Sequence, residues 1–309
     1  MPRTPPTVSV VVPCYNGGRF LDGLLACLAA QTFRDFEIVI VNDGSTDEAT
    51  RRKLASLEPA IRVVHQDNRG LPGARNTGFR EARADYVLPL DCDDTIEPSF
   101  LAEAVAVLDH ALPELGFVFT HMRLTGGLVG FMPRSFNRFD QLFLNHLPYC
   151  MLIRKAAWEK AGGYDETMRD GYEDWEFNIR LAKAGFHGAE IAKPLFVYHV
   201  SPDGMLLSHS ARRHGQLWRQ VRERHATLFD FSTLRELHHA WRLEARRVPF
   251  AAALTMLAGA RILPDFVVGP LFHAALRGAH WSRSLRGKYA EGRYRALRAS
   301  AASGPVERK

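Results

Sequence analysis

The first 120 residues alternate short apolar runs with helical patterns, and this alternation limits the folds available to the chain. Five runs have the length and composition of buried strands: VSVVVP, FEIVIVND, IRVVHQ, YVLPL and GFVFTH. Segments between them, such as PSFLAEAVAVLDHA, carry apolar residues at helical spacing. The alternation predicts an α/β fold with a mostly parallel, Rossmann-like central sheet that is flanked by helices.

Polar residues follow three of the predicted strands at the point where each strand ends. Cys14-Tyr15-Asn16 follows the first strand, Asn42-Asp43-Gly44-Ser45 the second, and Asp91-Cys92-Asp93-Asp94 the fourth. The carboxyl ends of parallel strands meet at one edge of a sheet, where α/β proteins bind their ligands. We therefore expect a ligand site at this edge.

The stretch from Asp91 to Asp94 places three carboxylates within four residues after an apolar strand. Like charges this close repel one another, and burial strengthens the repulsion. Mg²⁺ and Mn²⁺ prefer oxygen ligands and often bind through one or two carboxylates together with substrate phosphates. Taken alone, the stretch predicts either a metal site or a surface turn in which an aspartate caps the chain before Pro98.

Two further segments suggest contacts with a nucleotide. Asp43 in VNDGSTD can accept hydrogen bonds from a base or a ribose, although the same segment fits a plain turn capped by Ser45. Arg69 and Arg75 in NRGLPGARNTG can reach a phosphate, although both also fit a solvated helix face. The first strand is not followed by G-x-G-x-x-G, which argues against a dinucleotide-binding domain.

A later pair of acids, Glu173 and Asp174, stands at a predicted helix start among the aromatic residues of GYEDWEF. Apolar surroundings can raise the pKa of a carboxyl group towards that of a useful general base. The alternative is ordinary acidic residues at a helix N-terminus, which the helix dipole favours. His199, near the end of the last predicted strand, is a metal ligand only if it approaches the aspartates, and otherwise a structural residue.

The C-terminal third differs in charge from the rest of the chain. Residues 1–204 carry a net charge of −6 and residues 205–309 a net charge of +12, which together give the +6 of the whole protein. The basic, mainly helical extension over residues 211–309 predicts either amphipathic helices on an anionic membrane or helices packed on the domain formed by residues 1–210. No nucleic-acid motif accompanies the charge, so we expect no nucleic-acid partner.

The cysteines and the N-terminus bear on the compartment. The four cysteines form no C-x-x-C pair, which argues against a zinc site or a disulfide framework and fits a reducing compartment. The N-terminal sequence predicts no signal peptide, and the apolar stretch after residue 248 is interrupted by charged residues and prolines, which argues against a single membrane span. We expect a cytoplasmic protein that can be peripheral on the cytoplasmic face of a membrane.

In order and spacing, the motifs resemble those of the family 2 inverting glycosyltransferases, which have the GT-A fold. The resemblance covers residues 7–210 and rests on VSVVVPCYNGGRFLDGLLACLAAQTFRDFEIVIVNDGSTD, NRGLPGARNTGFREARADYVLPLDCDD, GGYDE and GYEDWEF. It implies a nucleotide-diphosphate-sugar donor, a divalent metal (Mn²⁺ or Mg²⁺) and a hydroxyl acceptor, with a role in cell-surface or extracellular glycan synthesis.

The resemblance also implies roles for individual residues. The donor side would comprise Pro13, Tyr15, Asn16, Asp43, Arg75 and Asp91. Asp93 would be the main metal ligand, with His199 as a further contact. Asp174 matches the catalytic base, and Glu173 stands beside it.

In the reaction that the resemblance implies, Asp174 takes the proton of the acceptor hydroxyl, and the metal and Arg75 stabilise the departing nucleoside diphosphate in a single inverting displacement. The alternative is a catalytically inactive protein that binds nucleotide sugars or acts as a scaffold. A processive membrane synthase would need several spanning helices and a Q-x-x-R-W motif, and neither is evident. The sequence identifies neither the sugar nor the base nor the acceptor, which we expect against residues 121–150 and the C-terminal extension.

Overall fold

The computed structural model describes residues 5–57, 61–201, 213–240, 248–264 and 267. Its strands are β1 (Val8–Cys14), β2 (Phe36–Asp43), β3 (Arg62–Gln66), β4 (Tyr86–Pro89), β5 (Thr95–Ile96), β6 (Leu115–Gly126), β7 (Gly130–Met132), β8 (Leu152–Arg154) and β9 (His187–Val200). Its helices are α1 (Leu21–Ala29), α2 (Glu48–Leu57), α3 (Gly70–Glu81), α4 (Phe100–Asp109), α5 (Lys155–Ala161), α6 (Glu173–Lys183), α7 (His214–Arg224), α8 (Phe231–Ala240) and α9 (Phe250–Ile262).

The strands form one sheet in the order β3-β2-β1-β4-β8-β6-β9-β5, with β7 pairing with β6. The strands β3, β2, β1 and β4 run parallel to one another, and β9 runs parallel to β6. The short strands β8 and β5 are antiparallel to their neighbours. This arrangement confirms the predicted α/β fold with a mostly parallel sheet.

Alternating residues of β1 face two apolar layers on opposite sides of the sheet. Val8, Val10 and Val12 pack with residues of α1 and α4, whereas Val11 packs with residues of α3, α5 and α6. All four valines are fully buried. A strand buried on both faces has no polar alternation, which is why VSVVVP reads as a continuous apolar run.

The structure differs from the sequence prediction mainly after residue 115. The predicted strand GFVFTH is the first half of β6, which continues through Met122 and Leu124 and then turns back into β7. The last strand, β9, begins at His187 rather than at the apolar run PLFVYHV. The first half of β9 is largely exposed, so its sequence lacks the apolar pattern that indicates a strand.

The described helices of the C-terminal extension share a core with the rest of the chain. Trp218, Val221, Leu234 and Leu257 pack with Phe143 and Trp175, among other residues. Trp218 Nε1 donates a hydrogen bond of 3.1 Å to the carbonyl oxygen of Leu142, and the backbone N–H of Val248 donates to Asp140 Oδ1. Packing on residues 1–210, one of the two alternatives for the extension, is therefore observed for α7–α9.

No helix within the described ranges is long and apolar enough to cross a membrane. Much of the predicted basic surface, including residues 268–309, lies outside the described residues.

Candidate active site

Three neighbouring strands bring the predicted polar motifs to one edge of the sheet. In the β1–β2 register Cys14 lies opposite Asn42, and in the β1–β4 register Val11 lies opposite Pro89. Because these strands are parallel, the residues that follow them lie side by side at their carboxyl ends. The ends of β1, β2 and β4 thus form the floor of a single site.

The turn after β1 is tied to the turn after β2 by Asn16. Its side-chain Oδ1 accepts hydrogen bonds from the backbone N–H groups of Thr46 (2.8 Å) and Asp47 (3.1 Å), and its own N–H donates to Ser45 Oγ. Asn16 has a left-handed backbone (φ 52°), which asparagine tolerates better than most residues. Pro13 is buried in β1, whereas the side chain of Tyr15 is 52% exposed at the mouth of the site.

Asp43, the last residue of β2, is buried and already hydrogen-bonded. Its Oδ1 accepts from Gln66 Nε2 (2.6 Å) and from the backbone N–H of Arg69 (2.8 Å), which fixes the loop that leads into α3. Asp47 caps α2, because its Oδ1 accepts from the N–H of Thr50 at 2.7 Å. Arg69 forms an ion pair with Glu166.

Arg75 on α3 joins two acidic motifs that are far apart in the sequence. Its Nη2 lies 3.0 Å from both carboxylate oxygens of Asp91, and its Nη1 lies 2.8 Å from Glu173 Oε1. The guanidinium also stacks over the ring of Tyr149, with 4.6 Å from Cζ to the ring centroid. Burial disfavours the charged form, but Asp91 and Glu173 outweigh it and raise the pKa of Arg75 well above its usual value.

Arg75 is buried, which differs from the alternative of an arginine on a solvated helix face. The side chain is 1% exposed, and its Nη groups point to Asp91 and Glu173 rather than into open space. A guanidinium held in this way orients the two carboxylates. The Nη groups of Arg75 hold these two carboxylates, and contact between Arg75 and a donor phosphate stays a prediction.

Asp94 holds the aspartate loop against the last strand. One oxygen accepts a hydrogen bond from the Tyr149 hydroxyl, and the other accepts from the backbone N–H of His199 at 2.6 Å. Tyr149 also accepts from the N–H of Asp91, so one tyrosine ties both ends of the loop. Burial, reinforced by the charge of Asp91, raises the pKa of Asp94 well above its usual value. Asp94 is thus a structural residue of the site.

Asp93 lies between these fixed residues and has a different environment. It is half-buried and makes no hydrogen bond with any residue that the structure describes. The part of the chain that is described contains no group of three His, Cys, Asp or Glu side chains able to hold a metal ion. A single carboxylate still fits Mg²⁺ or Mn²⁺, because these ions complete their shell with water and substrate phosphates.

His199 follows Tyr198 on β9, and its imidazole lies against Gly126. A Cβ atom at Gly126 would stand 2.7 Å from His199 Cε1, so the glycine leaves room for the ring. The structure shows the backbone N–H of His199 on Asp94, and the metal role of its side chain stays a prediction.

Asp174 stands in the first turn of α6 with its carboxylate held from two sides. Its Oδ2 accepts a hydrogen bond of 3.0 Å from Asn145 Nδ2, and its Oδ1 accepts from the N–H of Trp175 at 2.8 Å. Burial raises the pKa of Asp91, and the nearby charges of Asp93 and Asp174 act in the same direction. Asp91 and Asp93, which follow β4, therefore lie close enough to Asp174 of α6 for their charges to interact.

Glu173, in contrast, is buried behind Asp174. Burial raises its pKa from 4.5 to about 7, against the opposing effect of Arg75 and with the support of the Asp174 charge. The ion pair with Arg75 occupies Glu173 Oε1, and a catalytic role for Glu173 stays a prediction.

The raised pKa of Glu173 predicts a pH dependence of stability. Between pH 4.5 and about 7 the folded protein binds a proton that the unfolded chain releases, so the free energy of unfolding falls as pH rises through this range. We expect Glu173→Gln to flatten this slope, and chemical denaturation between pH 5 and 8 measures it. An unchanged slope would contradict the assignment. Glu159→Gln is the matched control, because the Glu159 side chain is exposed.

Sequence analysis missed three side chains that shape the site. Tyr149 and Asn145 lie in the weakly patterned region before β8, and each acts through a partner more than 25 residues away. Tyr198 lies beside Tyr149 and is influenced by Asp94, Asp91, Asp93 and Asp174, which together with burial raise its pKa. The only signal in the sequence was the aromatic residues in both segments, which the core alone also explains.

Comparison with known proteins places these features in a family. Residues 9–159 match the family model described as glycosyl transferase family 2. The chain is 42% identical over 217 residues to the uncharacterized glycosyltransferase EpsJ of Bacillus subtilis, covering 65% of this chain and 63% of that protein. It is 34% identical over 228 residues to an uncharacterized glycosyltransferase of Rickettsia felis, covering 69% of this chain and 38% of that protein.

Solved structures agree in fold. The Staphylococcus aureus protein TarS, residues 1–349 in complex with UDP-GlcNAc, matches with a TM-score of 0.60 at 20% identity, over 75% of this chain and 70% of that one. The mannosyltransferase PcManGT of Pyrobaculum calidifontis, in complex with GDP-Man and Mn²⁺, matches with a TM-score of 0.54 at 20% identity, over 92% and 88% of the two chains. The chain spans less than two thirds of the length of the curated relatives named above.

Proposed function

Because this chain belongs to glycosyltransferase family 2 and has the GT-A fold, we propose that it transfers a sugar from a nucleotide-diphosphate-sugar donor to a hydroxyl group. The observation that carries the proposal is the convergence of Asp43, Asp91, Asp93 and Asp174 at one sheet edge. UDP-GlcNAc in the TarS structure and GDP-Man in the PcManGT structure are donors of this class.

We assign the nucleotide to the ends of β1 and β2. Tyr15 is the exposed aromatic residue there, and its ring can stack on a base. Asp43 has one oxygen committed to the α3 loop and can accept from the base or ribose with the other. Asn16 and Pro13 set the shape of the nucleotide site at the ends of β1 and β2. Asp91, oriented by Arg75, faces the ribose or donor sugar.

Asp174 is the base in this proposal. Asn145 and the Trp175 N–H hold its carboxylate in one orientation without a positive partner, so it stays available to accept a proton. As the acceptor oxygen attacks the anomeric carbon, Asp174 takes its proton, and the bond to the diphosphate breaks on the opposite side. One displacement of this kind inverts the anomeric configuration. The hydrogen bonds among Arg75, Glu173 and Asp91 fix the orientation of these side chains.

Asp93 is the residue that we assign to a divalent metal, with His199 as a second candidate. A bound Mn²⁺ or Mg²⁺ supplies positive charge to the diphosphate as it departs. The PcManGT structure is a complex with GDP-Man and Mn²⁺, which supports this assignment by fold likeness.

We expect Asp93→Ala to weaken donor binding at least tenfold in the presence of Mn²⁺ and to have little effect in its absence. The reason is that the diphosphate would lose the cation that Asp93 binds, while the residues assigned to the nucleotide at the ends of β1 and β2 are unchanged. Calorimetric titration of donor with and without Mn²⁺ measures both affinities. Asp22→Ala on the exposed face of α1 is the control, and equal affinities for wild type and Asp93→Ala in Mn²⁺ would refute the assignment.

A panel of nucleotide sugars tests the proposed function. With Mn²⁺ present, we expect one donor to raise the melting temperature and to be hydrolysed slowly by the wild-type protein. A donor that binds but is never hydrolysed, and never transferred to any acceptor tried, would favour the inactive binding protein. If no nucleotide sugar in the panel binds, the result would contradict both the transferase and the inactive binding protein.

We further propose that the protein works in cell-surface or extracellular glycan synthesis at the cytoplasmic face of a membrane. In support, α9 exposes Ile262 and Leu263 at its end, next to the exposed Arg261. Apolar side chains beside basic ones are typical of surfaces that bind anionic lipid. Co-sedimentation with anionic but not zwitterionic vesicles is the expected result.

A further inference from the structure

A cavity of about 560 Å³ opens between α5, α6 and the end of α7. Its walls include Glu176 and Arg180 of α6, the helix whose first turn holds Asp174. Glu176 follows Asp174 by two residues, which is about 200° around a helix, so the cavity lies on the opposite face of α6 from the proposed base. A cavity of this volume is typical of sites that bind small molecules.

The lining of this cavity carries more positive than negative charge. Four basic and two acidic side chains line it, which leaves a net charge of +2 with the nearby histidine neutral. These residues are Lys160, Arg180, Lys183, Arg224, Asp165 and Glu176. Cations gathered in a concave surface favour an anion there. The excess of two charges matches a ligand with two or more negative charges.

Both acids of the cavity already have an arginine partner. The carboxylate of Glu176 accepts from Arg180 Nε at 2.7 Å and from Arg180 Nη2 at 2.6 Å. Asp165 Oδ2 accepts from Arg224 Nε at 2.6 Å. His225 Nε2 lies 3.1 Å from Glu176 Oε1 and completes the group. The two arginines therefore hold carboxylates of the protein itself, and the excess positive charge belongs to the lysines.

Lys160 and Lys183 carry this excess charge. Both are exposed, and neither forms a hydrogen bond or an ion pair with any residue that the structure describes. They stand in the last turns of α5 and α6, so they line the cavity from two different helices. Lys160 Nζ also lies 5.1 Å from the ring centroid of Phe186. An ammonium group is a point charge with three rotatable donors, which suits the diverging oxygens of a phosphate.

We propose that this cavity binds a small phosphorylated molecule, with its phosphate held by Lys160 and Lys183. A phosphate alone would fill only a small part of about 560 Å³, so the ligand has an uncharged part as well. The lining offers Ala161 and Ala184 as apolar surface for that part. The proposal does not rest on the function proposed above, because the cavity and the proposed base lie on opposite faces of α6.

Pyrophosphate is the probe for the charged part of the site. Calorimetric titration of the whole chain in metal-free buffer measures its binding, since no metal can then bridge it to Asp93. We expect Lys160→Gln and Lys183→Gln each to weaken pyrophosphate binding at least about fivefold, because each removes one charge at close range. Lys193→Gln is the matched control, since Lys193 is 48% exposed but pairs with Glu103 outside the cavity.

Four results would overturn the proposal. No pyrophosphate binding would mean that the lysines only balance the C-terminal ends of α5 and α6. Full binding by the double variant Lys160→Gln, Lys183→Gln would place the anion elsewhere on this basic chain. Loss of binding in Asp93→Ala would assign the pyrophosphate to the proposed donor site. Citrate that binds as tightly as pyrophosphate would indicate a site for anions in general rather than for phosphates.

A competition panel tests the uncharged part of the ligand. Sugar phosphates and nucleoside monophosphates are titrated against bound pyrophosphate in the same metal-free buffer. We expect at least one of them to bind more tightly than inorganic phosphate of the same charge, because its uncharged part contacts the alanine surface. If inorganic phosphate binds as well as every member of the panel, the cavity does not recognise an organic molecule.

Discussion

Replacing Asp174 by asparagine is expected to lower sugar transfer by about a hundredfold to ten-thousandfold, the range over which a positioned base contributes to rate. Asparagine has the same shape, and its oxygen can still accept from the Trp175 N–H that bonds Asp174 now. It cannot accept the proton of the acceptor hydroxyl. Donor binding should change little, because the nucleotide is assigned to the other side of the edge, at β1 and β2.

The measurement compares transfer rate and donor affinity in the same variant. Asp170→Asn is the matched control: Asp170 is an acid in the same loop, but it is half-exposed and pairs with Arg213. We expect this control to transfer sugar at the wild-type rate. Equal losses of donor affinity and rate in Asp174→Asn would assign the residue to donor binding, and an unimpaired rate would remove it from the chemistry.

The second large effect concerns stability. We expect Arg75→Met to lower the free energy of unfolding by about 3–5 kcal/mol, the usual cost of removing one partner from a buried ion pair. The guanidinium is 1% exposed and neutralises Asp91 and Glu173, whose side chains are only 22% and 7% exposed. Methionine fills much of the volume but leaves the two carboxylates without their positively charged partner.

Further variants separate charge from packing. In the triple variant Arg75→Met, Asp91→Asn and Glu173→Gln, no buried charge is left unpaired, so we expect it to recover part of the lost stability in urea denaturation. Arg52→Met is the matched single control, since Arg52 and its partner Glu48 are 75% and 65% exposed, and surface pairs contribute about 0–1 kcal/mol. If Arg75→Met were no more destabilising than Arg52→Met, the buried pairing would not stabilise the site.

The parallel half of the fold was predictable because its strands are buried on both faces. VSVVVP and FEIVIVND are each apolar over a strand's length, and their ends led directly to Asn16 and Asp43, as the end of YVLPL led to Asp91. The first part of β9 was not predictable, because an exposed strand has no apolar pattern of its own. Its placement depends on pairing with β6, which no local signal encodes.

The site divided in the same way. The acidic residues were found because carboxylates in a cluster are unusual in any setting. The partners that orient them, Tyr149 and Asn145, are ordinary residues in a weakly patterned segment, and only the tertiary structure brings them to Asp94 and Asp174. Arg75 was identified as a member of the site. Its burial between Asp91 and Glu173 could not be predicted, because it depends on contact among α3, the loop after β4 and α6.

The helix that carries Asp174 has its rear face covered by the C-terminal helices. Tyr172, just before α6, has a left-handed backbone and bonds through its hydroxyl to His214 of α7, while Glu176 pairs with His225 and Trp175 packs in the shared core. Exchange of catalytic regions between relatives should therefore carry α7 to α9 along. Under the proposed function, substitutions in α7 to α9 would shift Asp174 without altering any residue that we assign to the donor or the metal.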